Sequence, residues 1–180
     1  MNAFANEHLF RRPQVRLLAL GRGRVRGSAE ETMNGGIKSP SEYVIPAGTD
    51  LYRFGWCGVP DIVLSGEWWN DGHALRQADA FGAAHGMALR EALRHACFIP
   101  EEWGSDQSTV VSLVTRAPLL AYRGKAAVVS IRDKHGITTR LMNERTERFR
   151  INQLYIPGLG SRDVRRAAIG TIRPIFLPPA

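Results

Sequence analysis

Three short segments of this 180-residue chain carry side chains that could do chemistry. The first is Leu51-Tyr52-Arg53-Phe54-Gly55, where a guanidinium stands inside an apolar stretch. A buried or half-buried arginine needs an anionic or multi-acceptor partner, and its planar fork suits a phosphate or a ribose nicotinamide amide. An ion pair with Glu67 or Asp61 would meet the same need. The second segment is Ser65-Gly66-Glu67-Trp68-Trp69-Asn70-Asp71-Gly72. Its paired tryptophans could wall a flat heteroaromatic ring that Ser65 positions, or they could fill the core. Adjacent residues of a strand face opposite ways, so one tryptophan at most lines a site. The third segment runs from Ile151 to Leu159 and ends in Pro157-Gly158-Leu159. Strand alternation sets Gln153 and Tyr155 on one face and Leu154 and Ile156 on the other; such a glutamine can equally be solvated.

Other chemistries lack their signatures. His8, His73, His85, His95 and His135 never fall with a carboxylate or cysteine at a ligand spacing, so no metal site is expected. Gly21-Arg-Gly-Arg-Val-Arg-Gly27 has G-x-G-x-x-x-G spacing, with no helical pattern after it, and fails as a dinucleotide loop. Ser65 lacks the G-x-S-x-G surroundings of a hydrolase nucleophile. Cys57 and Cys97 form no C-x-x-C pattern and no disulfide framework, which fits a reducing compartment.

The elements that must position these residues follow from periodicity and turn chemistry. Val15 to Leu20 reads as a short strand, and Gly21 to Ser41, rich in Gly, Arg, Ser and Asn, as an exposed or mobile loop. A boundary near Ser41 would divide a basic N-terminal extension (1–41) from a catalytic-like domain (42–180). Leu51 to Phe54 reads as a strand after a Pro-Ala-Gly-Thr turn. Apolar spacing from His73 to Cys97 predicts two short helices or one weakened by Gly82 and Gly86. Beyond Pro100, Thr109–Thr115, Ala126–Arg132, Ile137–Met142, Phe149–Ile156 and Ala168–Leu177 read as strands. Helices early and strands late predict a single α+β domain.

Composition bounds the rest. With 44% hydrophobic residues the chain can bury one core without staples. A net charge of +7 and a pI near 10.1 predict attraction to polyanions, either nucleic acid through a basic face or an acidic protein. The excess charge gathers at Arg22, Arg24 and Arg26, at Arg140, Arg145, Arg148 and Arg150, and at Arg162, Arg165 and Arg166, which as a plain reading are a solvated face. Met1 to Arg12 lacks the apolar run of a cleavable signal, and no window approaches the roughly 18 apolar residues of a membrane span. Synthesis in the cytoplasm, no membrane partner and, where export occurs, a specialised secretion route are the expectations.

In their order the three segments resemble the ADP-ribosyltransferase superfamily, the NAD-consuming fold of many bacterial toxins and effectors. The resemblance covers roughly residues 43–159. Arg53 matches the arginine of the family's early L-Y-R-x-G strand, Ser65 loosely its later Ser- or Thr-plus-aromatic strand, and Gln153, four residues before Pro157, its E-x-L-L-P type strand. It implies a split β-sheet core with helices packed at one side, and NAD as substrate. It also implies Gln153 and Arg53 as catalytic residues, and Tyr52, Arg53, Gly55, Ser65, Trp68, Trp69 and Tyr155 around the nucleotide. One departure matters: glutamine stands where the family's catalytic glutamate would be. A carboxylate stabilises the oxocarbenium-like state of nicotinamide–ribose cleavage, whereas a glutamine holds the ribose without charge. The substitution points to NAD glycohydrolysis or an unusual ADP-ribosyl transfer, with Glu67, Glu144 or Glu147 as a displaced carboxylate. Such proteins commonly travel with a neutralising immunity or inhibitor protein, here acidic. The alternatives are ADP-ribosyl transfer to nucleic acid or an acidic protein, and a non-catalytic basic module that binds nucleic acid or protein.

Overall fold

The structure, a computed structural model, describes residues 4–24, 31–33, 35–55, 60–99, 109–127, 129–132, 138–140 and 151–176. In chain order the elements are α1 (Glu7–Phe10), α2 (Val15–Ala19), β1 (Arg22–Arg24), β2 (Glu31–Met33), β3 (Ile37–Ile45), β4 (Asp50–Gly55), α3 (Pro60–Leu64), β5 (Trp68–Asp71), α4 (Gly72–His85), α5 (Leu89–Ala96), β6 (Thr109–Thr115), β7 (Leu119–Ala126), β8 (Ser130–Arg132), β9 (Thr138–Arg140), β10 (Asn152–Tyr155), α6 (Arg162–Ala168) and β11 (Ile169–Phe176). Seven strands make one sheet in the order β11-β6-β4-β5-β10-β7-β3, and every neighbouring pair is antiparallel. The chain is a single α+β domain, as the order of its patterns predicted.

Alternation along the strands sorts the core into two layers. Leu51, Trp69, Leu113, Leu119, Ala121 and Leu154 meet Val63 and Leu64 of α3 and Val164 and Ala168 of α6 on one face. On the other, Leu120, Tyr122 and Tyr155 meet Phe10, Val15 and Ala19 from α1 and α2. Farther along that second face, Phe54 and Ile151 meet Ala74 and Ala78 of α4 and Leu93 and Ala96 of α5. Helices therefore cover both faces, which corrects the expectation of helices at one side. Strands such as Thr109–Thr115 and the start of Leu119–Ala126 bury residues of both parities, so each face needs a cover.

The N-terminal segment departs most from expectation. Residues 15–19 form a helix, not a strand: Val15 and Ala19 lie one turn apart and both are buried, which leaves Arg16, Leu17 and Leu18 outside. The stretch expected as a loop contains the β1–β2 pair and the start of β3. The boundary expected near Ser41 falls inside β3. Asn6 shows why the division at residue 41 does not exist. It is fully buried, its Nδ2 donates to the carbonyls of Leu120 (2.8 Å) and Pro157 (3.1 Å), and its Oδ1 accepts from the Leu120 N–H (2.9 Å).

The expected helical pair is present, and its glycines have separate reasons. Gly86 closes α4 in the left-handed region, at φ 66°. Gly82 is buried where α5 approaches; a Cβ there would stand 2.8 Å from the Met87 carbonyl oxygen and 3.2 Å from the Ala92 methyl. Asp71 starts α4 by accepting the Ala74 N–H at 2.8 Å.

Candidate functional site

The sheet parts at β5. Its C-terminal half pairs with β4 through Leu51–Asp71 and Tyr52–Asn70, and its N-terminal half pairs with β10 through Leu154–Trp69 and Tyr155–Trp68. Beyond Tyr52 the β4–β5 ladder stops, and the Arg53 side chain enters the gap. Its Nη1 donates to the Trp68 carbonyl at 2.7 Å, a bond from a side chain where the splayed strand offers no backbone donor.

Arg53 is half-buried and its Nε is buried with no hydrogen-bond partner. Burial lowers the guanidinium pKa and the charge of Glu67 opposes that. The group lies against Gly66, where any side chain would collide with it. Among the described residues no carboxylate comes within ion-pair distance of Arg53, so neither Glu67 nor Asp61 forms the structural pair that would retire it.

Glu67 is occupied elsewhere. Its Oε2 accepts the Tyr155 hydroxyl at 2.6 Å, its Oε1 accepts the Gly158 N–H at 2.5 Å, and its carbonyl accepts the Ile156 N–H at 2.8 Å. One residue thus ties the start of β5 to the end of β10 and to the turn after it. Burial, followed by the bond to Glu67 and its charge, raises the Tyr155 pKa far above the ordinary phenol range, so the hydroxyl remains a donor. Glu144 and Glu147, the other two candidate carboxylates, lie outside the described residues.

The two tryptophans separate as alternation requires. Trp69 is 1% exposed within the core, its Nε1 donating to the Gly66 carbonyl at 3.0 Å. That removes it from the expected nucleotide-binding set. Trp68 is half-buried and its ring lies 5.0 Å from that of Tyr155, tilted by 54°. Ser65 is exposed in the turn after α3, not on a strand, and its Oγ donates to the Ile62 carbonyl at 2.7 Å. It still adjoins Arg53 through Gly66. Gly55 serves packing: a Cβ there would meet a Val63 methyl at 2.6 Å. Tyr52 is half-buried on the α4 side, beside Gly72.

Gln153 belongs to a second group. Its Nε2 donates to the Cys97 carbonyl at 3.2 Å, and the buried Asn70 beside it donates to the Asn152 carbonyl at 3.4 Å. Burial pushes the Cys97 thiol up to about 11, with hydrogen bonds to Gln153 and Asn70 pulling the other way, so the sulfur is a protonated, inert thiol near neutrality. Cys57 lies outside the described residues. By alternation Gln153 stands on the α4–α5 face of the sheet, whereas Arg53 leaves β4 on the face of Leu51. The structure gathers Arg53, Gly66, Glu67, Trp68 and Tyr155 in one place and Gln153, Asn70 and Cys97 in another. Trp68 is the link: its carbonyl holds Arg53, while its ring lies on the face that carries Tyr155 and Gln153.

The structural roles of Glu67, Asn6 and Asn70 are not legible in the sequence, because each depends on a partner distant in the chain. The same holds for Arg123, whose Nη2 lies 3.5 Å from Asp71 and whose guanidinium covers the Tyr43 ring at 4.8 Å. Of the basic stretches, Arg165 is a structural pin whose Nη1 donates to the carbonyls of Leu64 and Gly160 at 3.1 and 2.5 Å, while Arg162 and Arg166 are exposed. Arg26, Arg145, Arg148 and Arg150 lie outside the described residues. Among the described residues no three His, Cys, Asp or Glu side chains group as metal ligands, and no helix is long and apolar enough to cross a membrane.

No family model matches the chain, and no curated protein matches it significantly. Its fold is similar to a solved structure described as Rhs1-CT in complex with cognate immunity protein RhsI1. The TM-score is 0.51 at 15% identity, with 92% of this chain and 97% of that chain covered. At that identity the likeness is one of fold.

Proposed function

We propose that the chain is an NAD-consuming toxin or effector domain that cleaves the nicotinamide–ribose bond and is neutralised by an acidic partner protein. The observation that carries this reading is Arg53: a half-buried guanidinium with one backbone acceptor, the charge of Glu67 nearby but no carboxylate within ion-pair distance among the described residues, set where β4 and β5 part and bonded to the Trp68 carbonyl. A desolvated cation with spare donors suits a pyrophosphate, and the Trp68 ring, on the other face of the same opening, suits a flat base. The fold it shares with Rhs1-CT, solved in complex with a cognate immunity protein, supports the class and the kind of partner.

In this reading NAD threads the opening where β4 and β5 part, so that Arg53 holds the pyrophosphate from the Leu51 face and the Trp68 ring stacks on the nicotinamide on the face that carries Gln153. Gln153, its amide nitrogen anchored on the Cys97 carbonyl, turns its Oε1 to a ribose hydroxyl. The C1′–N bond breaks, its electron pair goes to the ring nitrogen and releases neutral nicotinamide, and a water oxygen adds to C1′ and loses its proton to solvent. Orientation supplies the catalysis, the guanidinium anchoring the pyrophosphate and Gln153 the ribose, since Glu67 is engaged in structure. An acceptor on nucleic acid or an acidic protein in place of water would make the same bond cleavage a transfer.

The test is to incubate the protein with NAD labelled on the adenylate side, with and without cell lysate, and follow nicotinamide release and macromolecule-bound label. Free nicotinamide without bound label means a hydrolase, and bound label means a transferase. Arg53→Ala should lower kcat/KM at least roughly a hundredfold, on the order of 3 kcal/mol of transition-state binding. Undiminished turnover by that variant would refute the assignment, and no turnover by the wild type would leave a basic binding module.

A further inference from the structure

We propose that the surface formed by α2 and the edge strand β3 is where the acidic partner docks, through a protein segment that pairs carboxylates with an apolar side chain. This rests on the reading of the chain as a domain neutralised by a partner.

Burial of Val15 and Ala19 fixes the roll of α2 and leaves Leu17 and Leu18 outward, 40% and 39% exposed. Val44 on β3 is 47% exposed. These are three of the six large apolar side chains exposed among the described residues, and α2 packs beside β3 at that edge of the sheet. The rim is basic: Arg11, Arg12 and Arg16 are all exposed. Against them stands Glu42, two residues before Val44 on the same strand face and 3.6 Å from Arg11. Arg11, Arg16 and Glu42 all lie near enough to Tyr122 to act on its hydroxyl, which places them around one spot.

Exposed apolar side chains on two neighbouring elements, interspersed with exposed arginines, have the composition of a protein interface. A nucleic-acid groove has no use for adjacent exposed leucines, whereas an acidic segment with an apolar tip satisfies both parts. The arginines set its charge and the rate of encounter. The opposite edge, β11, is a poorer dock: Ile172 and Ile175 stand three residues apart and so point to opposite faces, and Pro174 removes a backbone donor from that strand.

The test titrates the full chain against four probes: a labelled peptide of alternating Glu and Leu, a poly-Glu peptide of equal length, single-stranded oligothymidylate, and phosphatidylserine–phosphatidylcholine vesicles. The Glu/Leu peptide should bind tightest. Leu17→Ser with Leu18→Ser should weaken it roughly tenfold, and Arg12→Glu with Arg16→Glu at least as much. Equal affinity for poly-Glu, tighter binding of oligothymidylate or vesicles, or indifference to the leucine pair would overturn the proposal. Nicotinamide release should be unchanged in both double variants. Failure of the wild type to consume NAD would sink the proposed activity while leaving the binding result readable by itself.

Discussion

At the scale of single residues, Glu67 and Tyr155 decide how the site is built. Glu67 looked in the sequence like a partner for Arg53 or a substitute catalytic carboxylate; its two oxygens are instead spent on the Tyr155 hydroxyl and the Gly158 amide. Tyr155→Phe removes a bond to a charged acceptor and should cost about 1.5–3 kcal/mol, read from denaturant unfolding. Its pKa is raised in the folded state, so its stabilising contribution is complete below the unfolded value near 10 and is lost as pH rises beyond it. The loss of stability above about pH 10 should therefore be shallower in Tyr155→Phe. Cys97, raised to about 11, acts in the same direction, and its thiol should resist iodoacetamide in the folded protein and react once the chain is unfolded. Which tryptophan lines the site could not be chosen from Trp68-Trp69 alone. Alternation said that they part, and only the register with β10 and the cover of α3 over Trp69 said which way.

At the scale of elements, local pattern and tertiary packing disagree in instructive places. Gly82→Ala should raise helix propensity by about 1 kcal/mol in an isolated helix. In this fold its methyl would press on the Met87 carbonyl and the Ala92 methyl, so the expected outcome is a lower melting temperature, and a rise would show that the α4–α5 contact yields. The α4–α5 pair was legible because its apolar spacing is helical over a long window. Helix α2 was not: five residues with Val15, Leu17 and Leu18 satisfy a strand pattern as well as a helical one, and the packing of Val15 and Ala19 against Tyr122 and Ile37 decides. Strand β7 was missed apart from Ala126, and the strand expected at Ala126–Arg132 is reduced to β8 (Ser130–Arg132), because Leu119-Leu120-Ala121-Tyr122 is buried on both faces and shows no alternation.

At the scale of the whole molecule, the N-terminal helices are part of the core and not an extension. Removal of residues 1–41 should give a chain without cooperative unfolding, since Phe10, Val15, Ala19, Ile37 and the first half of the edge strand β3 leave with it. Asn6→Ala is the milder test. It strips the buried carbonyls of Leu120 and Pro157 and the Leu120 N–H of a partner and should destabilise by about 1–3 kcal/mol. Wild-type stability in either case would mean that the segment folds independently of the sheet.

By itself the sequence determined the α+β class, the helical pair, most of the late strands, the strand carrying Arg53 and the opposite facing of Trp68 and Trp69. These depend on periodicity and turn chemistry, which are local. Only the tertiary structure decided that β4 and β5 part beyond Tyr52, that Arg53 reaches the Trp68 carbonyl, that Glu67 is engaged and that Gln153 is held at Cys97 on the other face. Each of those joins residues between 15 and 91 positions apart, and strand register and helix cover, which no local pattern encodes, bring them together.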